Sequence, residues 1–564
     1  MRRILFCLLV LVFLSACATV PNTSIENMEG EIPAGSGLVI AETVTNGERI
    51  TGVVRHWTEV ILVRVNYEGE DDTFSIDSLS HSFSTQAYMG VVPAGTYRVG
   101  ALYAFLRRGD YTFTAYAIAP PALGTFEVRP GQVTNLGTLL YQPFQDRNWA
   151  EDEYPDYAMS RIGNDDLWRT ASKTNPQIAA QIDAGAPVLG WNPDNLDEIR
   201  NAAATIIKGA GLPTRMYALA DGGILMSGHL GGLYLLRNGE VQNRSAEGHY
   251  KITDLAELPD GRLLVGGEFG RLFLTDPLAE NVRHLPHQQD RTHVLDIELS
   301  DRGQAYIAVL APDGYAVYQY QPAADSLVSI KAFPPKKIGF FEQGYDMYAE
   351  ELRHPILLGT PEGITVFFEK FAYRYDESAD QWSESESVEF STMHQQADGV
   401  VSGIPHSSWS GTNPPRYSMD NGNSWQETEE KGGIFSWWKV PTYRFANGEF
   451  LRTGEDTDFS LWKGYTALDD VPVLLSQDNG VSWAPVGSVP RGCITIAPEV
   501  STDELLYILC TDGSTLSSSD RGVSWRPSSS KRIPEFDEFP GALKIRYNRE
   551  KLDSTSPAPP VIPD

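Results

Sequence analysis

The residue types best suited to chemistry are few and scattered. His284, His287 and His293 form a loose H-x2-H-x5-H in a polar stretch. Zinc needs three or four nitrogens or thiolates on one tetrahedron, but this stretch reads as a loop between strands, and no metal site is expected. Cys493 and Cys510 flank two apolar runs around Pro498-Glu-Val-Ser-Thr-Asp503. A hairpin centred between Ser501 and Thr502 sets them opposite one another, which in an oxidising compartment gives a cross-strand disulfide; two buried free thiols are the other state open to them. The acidic blocks Glu68-Gly-Glu70-Asp71-Asp72 and Glu427-Thr-Glu429-Glu430 lack the D-x-D-x-D-G spacing that wraps oxygens around calcium, and they read as solvated loops. Neither a G-x-S-x-G nucleophile elbow nor an H-E-x-x-H zinc helix occurs. No catalytic residue and no cofactor are therefore expected. The strongest binding candidate is aromatic: Trp437 and Trp438 follow a glycine pair in Gly432-Gly433-Ile434-Phe435-Ser436-Trp437-Trp438, with Trp409 a weaker case. Exposed, such a group anchors a protein or a sugar ring, because Trp supplies large area at low entropic cost. As a strand it turns the two rings to opposite faces and buries one.

The elements that must position these groups are written as repeats. S-x-D-x-G-x-S-W occurs three times: at Ser418, Asp420, Gly422 and Trp425; at Ser476, Asp478, Gly480 and Trp483; and at Ser518, Asp520, Gly522 and Trp525. Asp accepts from backbone N–H groups in a reversing chain, Gly takes a positive φ, and Trp starts the next strand. The copies resemble the Asp-box, or BNR, repeat of sialidases, sortilin-type receptors and other β-propellers. In those families the box is a structural staple on the blade periphery, away from the ligand-binding face. Upstream, Ala218-Leu-Ala-Asp221-Gly222 aligns with Glu257-Leu-Pro-Asp260-Gly261 at an offset of 39 residues, the length of a four-stranded blade. Weaker copies near Gly303, Gly363, Gly399, Gly448 and Asp503 predict about seven blades. The repeats, over roughly residues 214 to 530, also resemble photosystem II assembly factor propellers, which bind partner proteins without catalysis. Sialidases begin their arginine clamp in an R-I-P motif ahead of the first box. Here Arg532-Ile533-Pro534 follows the last one, so that part of the resemblance fails.

Ahead of the repeats lie short strands rich in β-branched and aromatic residues. Pro93-Ala-Gly95-Thr-Tyr97 and Val128-Arg-Pro130-Gly131-Gln-Val133 resemble β-sandwich modules of bacterial lipoproteins, in which P-x-G-x-Y opens a core strand and V-x-P-G-x-V makes a hairpin. Helical signals follow: Asn164-Asp165-Asp166 as a cap, Pro176 as a start, and Asp194 capping a third helix whose Ile199, Ala203, Ile206 and Ile207 share a face. At the other end, Arg2 and Arg3 precede an apolar run too short to span a bilayer. It ends in Leu14-Ser15-Ala16-Cys17, which resembles a lipobox and implies acylation of Cys17. Ala18 after it implies the outer membrane.

The chain is thus expected to be mainly β, an N-terminal β-sandwich followed by a short helical linker and a β-propeller. The boundaries read 1–16 signal peptide, 17–36 lipidated tether, 37–145 sandwich, 146–212 linker, 213–550 propeller and 551–564 disordered tail. A formal charge of −29 excludes nucleic acid as a natural partner. The functional expectation is a membrane-anchored lipoprotein, not an enzyme, that binds an envelope protein as a scaffold in assembly or adhesion. The alternative is a carbohydrate-active protein, either a glycan-binding lectin or a sialidase-like hydrolase.

Overall fold

The computed structural model describes residues 20–25, 31–47, 56–65, 73–79, 84–108, 111–144, 156–244, 248–277, 280–285, 293–311, 314–334, 354–405, 414–429, 441–454, 457–460 and 464–546. The leader, Cys17 and the tail 551–564 lie outside them, as do Trp409, Trp437 and Trp438.

Two five-stranded sheets share one N-terminal core. The first orders Thr85–Pro93, Ser36–Thr45, Val133–Pro143, Tyr157–Ile162 and Lys544–Ile545; the second contains Thr73–Asp77, Glu59–Arg64, Gly95–Arg108, Tyr111–Ile118 and Phe126–Val128. Ser36–Thr45 is buried throughout because it is covered on both faces. Val39, Ala41 and Val44 join Trp57, Tyr97 and Phe126 in the core between the sheets, while Leu38 and Ile40 meet Leu167 and Ala171 of the helix Asp166–Thr174.

The structure departs from the sequence reading at five places here. Asn22 and Ser24, assigned to the tether, bridge to Ser75 and Gly90, and Ile25 is buried. The V-x-P-G-x-V segment is not a hairpin: Phe126–Val128 pairs with Gly95–Tyr97, whereas Val133 onward pairs with the other sheet, so the turn at Gly131 carries the chain across the core. The linker opens with a sheet strand, Tyr157–Ile162. Its last helix, Asp197–Gly209, buries Ala203 and Ile207 against that core. Asp194 does not cap this helix; it accepts from the Leu196 N–H and grips Arg200. Finally, Lys544–Ile545, assigned to the propeller, pairs with Tyr157–Ala158, and Phe539 and Leu543 before it are buried in the N-terminal core.

Downstream, seven four-stranded antiparallel sheets follow in sequence among the described residues. Their first strands are Pro213–Ala218, Ile252–Glu257, His293–Leu299, Ile356–Gly359, Phe390–Gln395, Tyr443–Arg444 and Thr495–Ile496. First strands of neighbouring sheets touch one another over most of the circuit, which sets them around a common axis in the arrangement of a β-propeller. Apolar layers join each sheet to the next, for example Leu225 with Val265, Ile307 with Leu264, and Leu451 with Ile508. The last sheet packs on the first through Ala497, Val500 and Leu509 against Met216, Met226 and Tyr234. The sixth sheet carries a small hairpin, Thr457–Ser460 with Gly464–Ala467, between its second and third strands.

The repeat explains the local turns. Gly222 and Gly261 follow their first strands with φ of 83° and 81°, and Asp221 and Asp260 accept the N–H two residues on, at 2.9 and 3.0 Å. The same repeat docks the N-terminal unit. Leu230 and Phe269 occupy equivalent positions, both left-handed at φ 55° and 53°. Leu230 inserts into the N-terminal core at 1% exposure. Beside Phe269, the buried Glu268 accepts from the Ser84 N–H (2.8 Å) and the Thr85 hydroxyl (2.5 Å). Glu42, buried at a bulge of Ser36–Thr45, accepts from Thr138 at 2.6 Å and lies 2.6 Å from His249 Nε2.

Candidate functional site

The three S-x-D-x-G-x-S-W segments turn the chain from third to fourth strand of the last three sheets. In the second, the Gly480 N–H donates to Ser476 Oγ (2.8 Å), Ser476 Oγ to Asp478 Oδ1 (2.9 Å), and the Ser482 N–H and hydroxyl to the two Asp478 oxygens (2.9 and 2.6 Å). The other two copies repeat this network at Ser418, Asp420 and Gly422 and at Ser518, Asp520 and Gly522. Hydrogen bonds from Ser524, and its N–H, hold the Asp520 carboxyl down to about 2. Trp425 packs on Phe390 (4.4 Å), Trp483 lies under Arg452 (4.2 Å), and Trp525 donates to the Gly522 carbonyl (3.1 Å). The Ser and Asp side chains of each box are engaged within their own turn, so these residues fasten the outer edge rather than reach for a ligand.

Cys493 and Cys510 are joined in a disulfide in the last sheet. The histidines do not converge. His284 is on the exposed outer strand Arg283–His284, while His293 begins the inner strand of the third sheet, where Nδ1 accepts from the Phe269 N–H (3.1 Å) and burial lowers its pKa to about 4. His287 lies outside the described residues. Among the described residues no group of three or more His, Cys, Asp or Glu is placed to hold a metal.

The site that sequence reasoning missed is at the axis. Sheets one to three place a β-bulge in the first strand, directly before Arg215, Asp254 and Asp296. A bulge re-aims the next side chain, and the three consecutive sheets thus present Arg, Asp and Asp at one level. Arg215 Nη1 lies 2.9 Å from Asp254 Oδ1, and the Tyr217 hydroxyl donates to the same oxygen at 2.8 Å. Asp254 Oδ2 accepts from the Ile297 N–H, and Asp296 Oδ2 from the Leu357 N–H, both at 2.7 Å. Each aspartate therefore fastens the next sheet while facing the axis. Arg215 keeps 47% of its side chain open to water beside the buried Asp254.

The electrostatics follow from enclosure. Burial, and then the charge of Asp254, pushes Asp296 well above the carboxylate range. Glu298, one tier along the same strand, is pushed up to about 8 by burial and by Asp254. The neighbouring Asp254 holds Arg215 firmly charged. Burial lowers His354, and across the axis His394 Nδ1 meets Glu499 Oε1 at 2.6 Å. The arrangement can hold a positively charged group and, at Glu298, exchange it for a proton. Extending the 39-residue alignment three positions upstream sets Arg215 opposite Asp254; opposite charges at one repeat position were the available signal.

No protein-family model matches the sequence, and no curated protein matches it. Solved structures do. Virginiamycin B lyase from Staphylococcus aureus matches at 9% identity and a TM-score of 0.38 over 55% of this chain and 94% of that one. YCF48 bound to D1 peptide matches at 15% and 0.37, over 54% and 92%. The β-propeller domain of Myceliophteria thermophila Cps50 (Swd1) matches at 11% and 0.36, over 53% and 93%. No ligand, partner or reaction passes from them to this chain. They correct one expectation: enzymes stand among the matches, so the architecture implies nothing against catalysis, and the reading of the chain as a non-enzyme is withdrawn.

Proposed function

We propose that this chain is a lipid-tethered envelope protein whose propeller binds a partner protein through a basic segment at the mouth of its axial channel. In this reading acylated Cys17 holds the chain to the outer membrane, the two N-terminal sheets form a β-sandwich spacer, and the seven sheets are the blades of one ring. The observation that carries the reading is the row Arg215, Asp254 and Asp296 with Tyr217 and Glu298: ionisable groups gathered from three consecutive sheets, in which buried aspartates stand behind an arginine that remains open to water. Enclosed charge is costly unless something uses it, and this cluster exceeds what fastening the sheets requires. The charge of −29 draws basic partners over a distance, and carboxyls that hold protons near neutrality release them to an arriving ammonium or guanidinium.

A second reading, glycan binding or glycoside chemistry, is favoured by the Tyr217 phenol bonded to Asp254 beside a guanidinium. One experiment separates the two. Pull-downs from gently solubilised envelopes compare wild type, Glu298→Gln and Glu499→Gln, with a glycan array run on the same proteins. A co-purifying protein that weakens in both variants and at raised salt supports the scaffold. Glycan binding with no such protein sinks it.

A further inference from the structure

Between the third and fourth sheets, at their outer edge and away from the axis, one ammonium is enclosed by three rings. Lys331 Nζ lies 4.8 Å from the ring centre of Tyr373, 5.0 Å from Trp382 and 5.9 Å from Phe333. The rings come from both sheets. Phe333 ends the outer strand Ser326–Phe333, Tyr373 is on Phe371–Asp376, and Trp382 is on Gln381–Glu386. Each is fixed by its neighbours: Phe333 meets Phe368 and Tyr373 at 5.0 Å, and Trp382 meets Tyr375 at 5.0 Å. The antiparallel register sets Tyr375 opposite Trp382 and Tyr373 opposite Glu384, so a carboxylate stands at the rim. Phe333 is buried while Tyr373 and Trp382 stay half-buried, which leaves the box open on one side.

Three π faces around one point select for a cation of diffuse charge. A lysine ammonium is compact and strongly hydrated, so it leaves water reluctantly; a quaternary ammonium spreads its charge over methyl groups that fill the same space and contact the rings directly. We propose that the box of Phe333, Tyr373 and Trp382 is a recognition site for a quaternary ammonium group, closed in the free chain by Lys331 as a resident competitor. The ligand chemistry is that of choline, whether as a free solute or as a lipid headgroup. The site is independent of the axial reading.

The test uses the full chain and choline chloride, followed by Trp382 fluorescence and calorimetry, in wild type, Lys331→Ala and Lys331→Ala/Trp382→Leu. Lys331→Ala is expected to bind choline at least about tenfold more tightly than wild type, and the double variant to lose binding. The uncharged tert-butyl analogue dimethylbutanol has the same shape and is expected not to bind. Circular dichroism and the unfolding midpoint check the fold, and Lys331→Met, which keeps the apolar stem, replaces Lys331→Ala if that variant is unstable. Capture of Lys331→Ala by phosphatidylcholine vesicles but not phosphatidylglycerol vesicles assigns the headgroup; choline binding without vesicle capture assigns the solute. No gain in affinity on removing Lys331, equal binding of the neutral analogue, or binding that survives loss of Trp382 overturns the proposal.

Discussion

Arg215 and Asp254 are the same position of consecutive repeats, and their pairing makes two demands on one carboxylate: it neutralises a guanidinium and it accepts the Ile297 N–H of the next sheet. Arg215→Ala leaves that buried carboxylate with its neutral partners only and is expected to cost about 1–3 kcal/mol in urea unfolding, below the loss for a fully buried pair because Arg215 is half exposed. Glu298 makes a pH prediction. Its folded-state pKa of about 8 lies above the ordinary 4.5, so the folded chain keeps a proton that the unfolded chain has released. Stability from this group is complete below about pH 4.5 and falls as pH rises through about pH 8. Glu298→Gln is expected to flatten the decline of the melting temperature over that window; an unchanged slope would mean the carboxyl is already ionised in the folded chain. None of this was legible from Trp437 or the histidine triplet, which are conspicuous in the sequence. The axial groups are single ordinary residues spread from Arg215 to Glu499, and only ring closure brings them together.

At the level of elements, the third-to-fourth-strand turns behave as local fasteners. Gly480 takes φ of 85° with Thr428 Cβ at 3.0 Å from where a Cβ would stand, so Gly480→Ala is expected to destabilise by more than about 1 kcal/mol. Asp478→Ala, which removes three hydrogen bonds, is expected to lower the unfolding midpoint by less than Gly480→Ala does, because the carboxylate is exposed to water. Both should leave partner binding intact, because these turns are remote from the first strands; loss of binding at unchanged stability would reassign them to the interface. Reducing the Cys493–Cys510 bridge, with a sequence separation of 17, is expected to cost about 3 kcal/mol, read as a lower unfolding midpoint in reductant. These turns were readable because their bonds join residues a few positions apart. The strand Tyr157–Ile162 and its partner Lys544–Ile545 were not: a two-residue strand has no periodicity, and no local pattern names a partner nearly the whole chain away. The same holds for the turn at Gly131, where the residues predict a reversal but not which sheet the chain enters.

Taken as a molecule, the chain holds its ring shut without exchanging a strand between first and last sheets among the described residues. Apolar contact across that seam is reinforced by Arg532 over the Tyr234 ring at 4.0 Å, and the following segment returns to the N-terminal sheet, where Phe144 meets Phe536 and Phe539 at 5.0 Å. Truncation before Phe536 is expected to loosen the N-terminal core and the seam together, seen as one earlier and broader thermal transition; two separate transitions with the second unmoved would show that the units are energetically independent. The central claim is that a partner enters at the axis. Thr392 is exposed and follows the first-strand bulge of the fifth sheet, the position equivalent to Arg215, so Thr392→Cys carries a photoactivatable maleimide toward the channel. Val328→Cys, exposed on an outer strand, is the control. Photolysis in intact envelopes is predicted to join one protein to the Thr392→Cys chain and not to the control, with the adduct lost in Glu298→Gln; equal labelling at both positions, or an adduct indifferent to Glu298, would contradict the account.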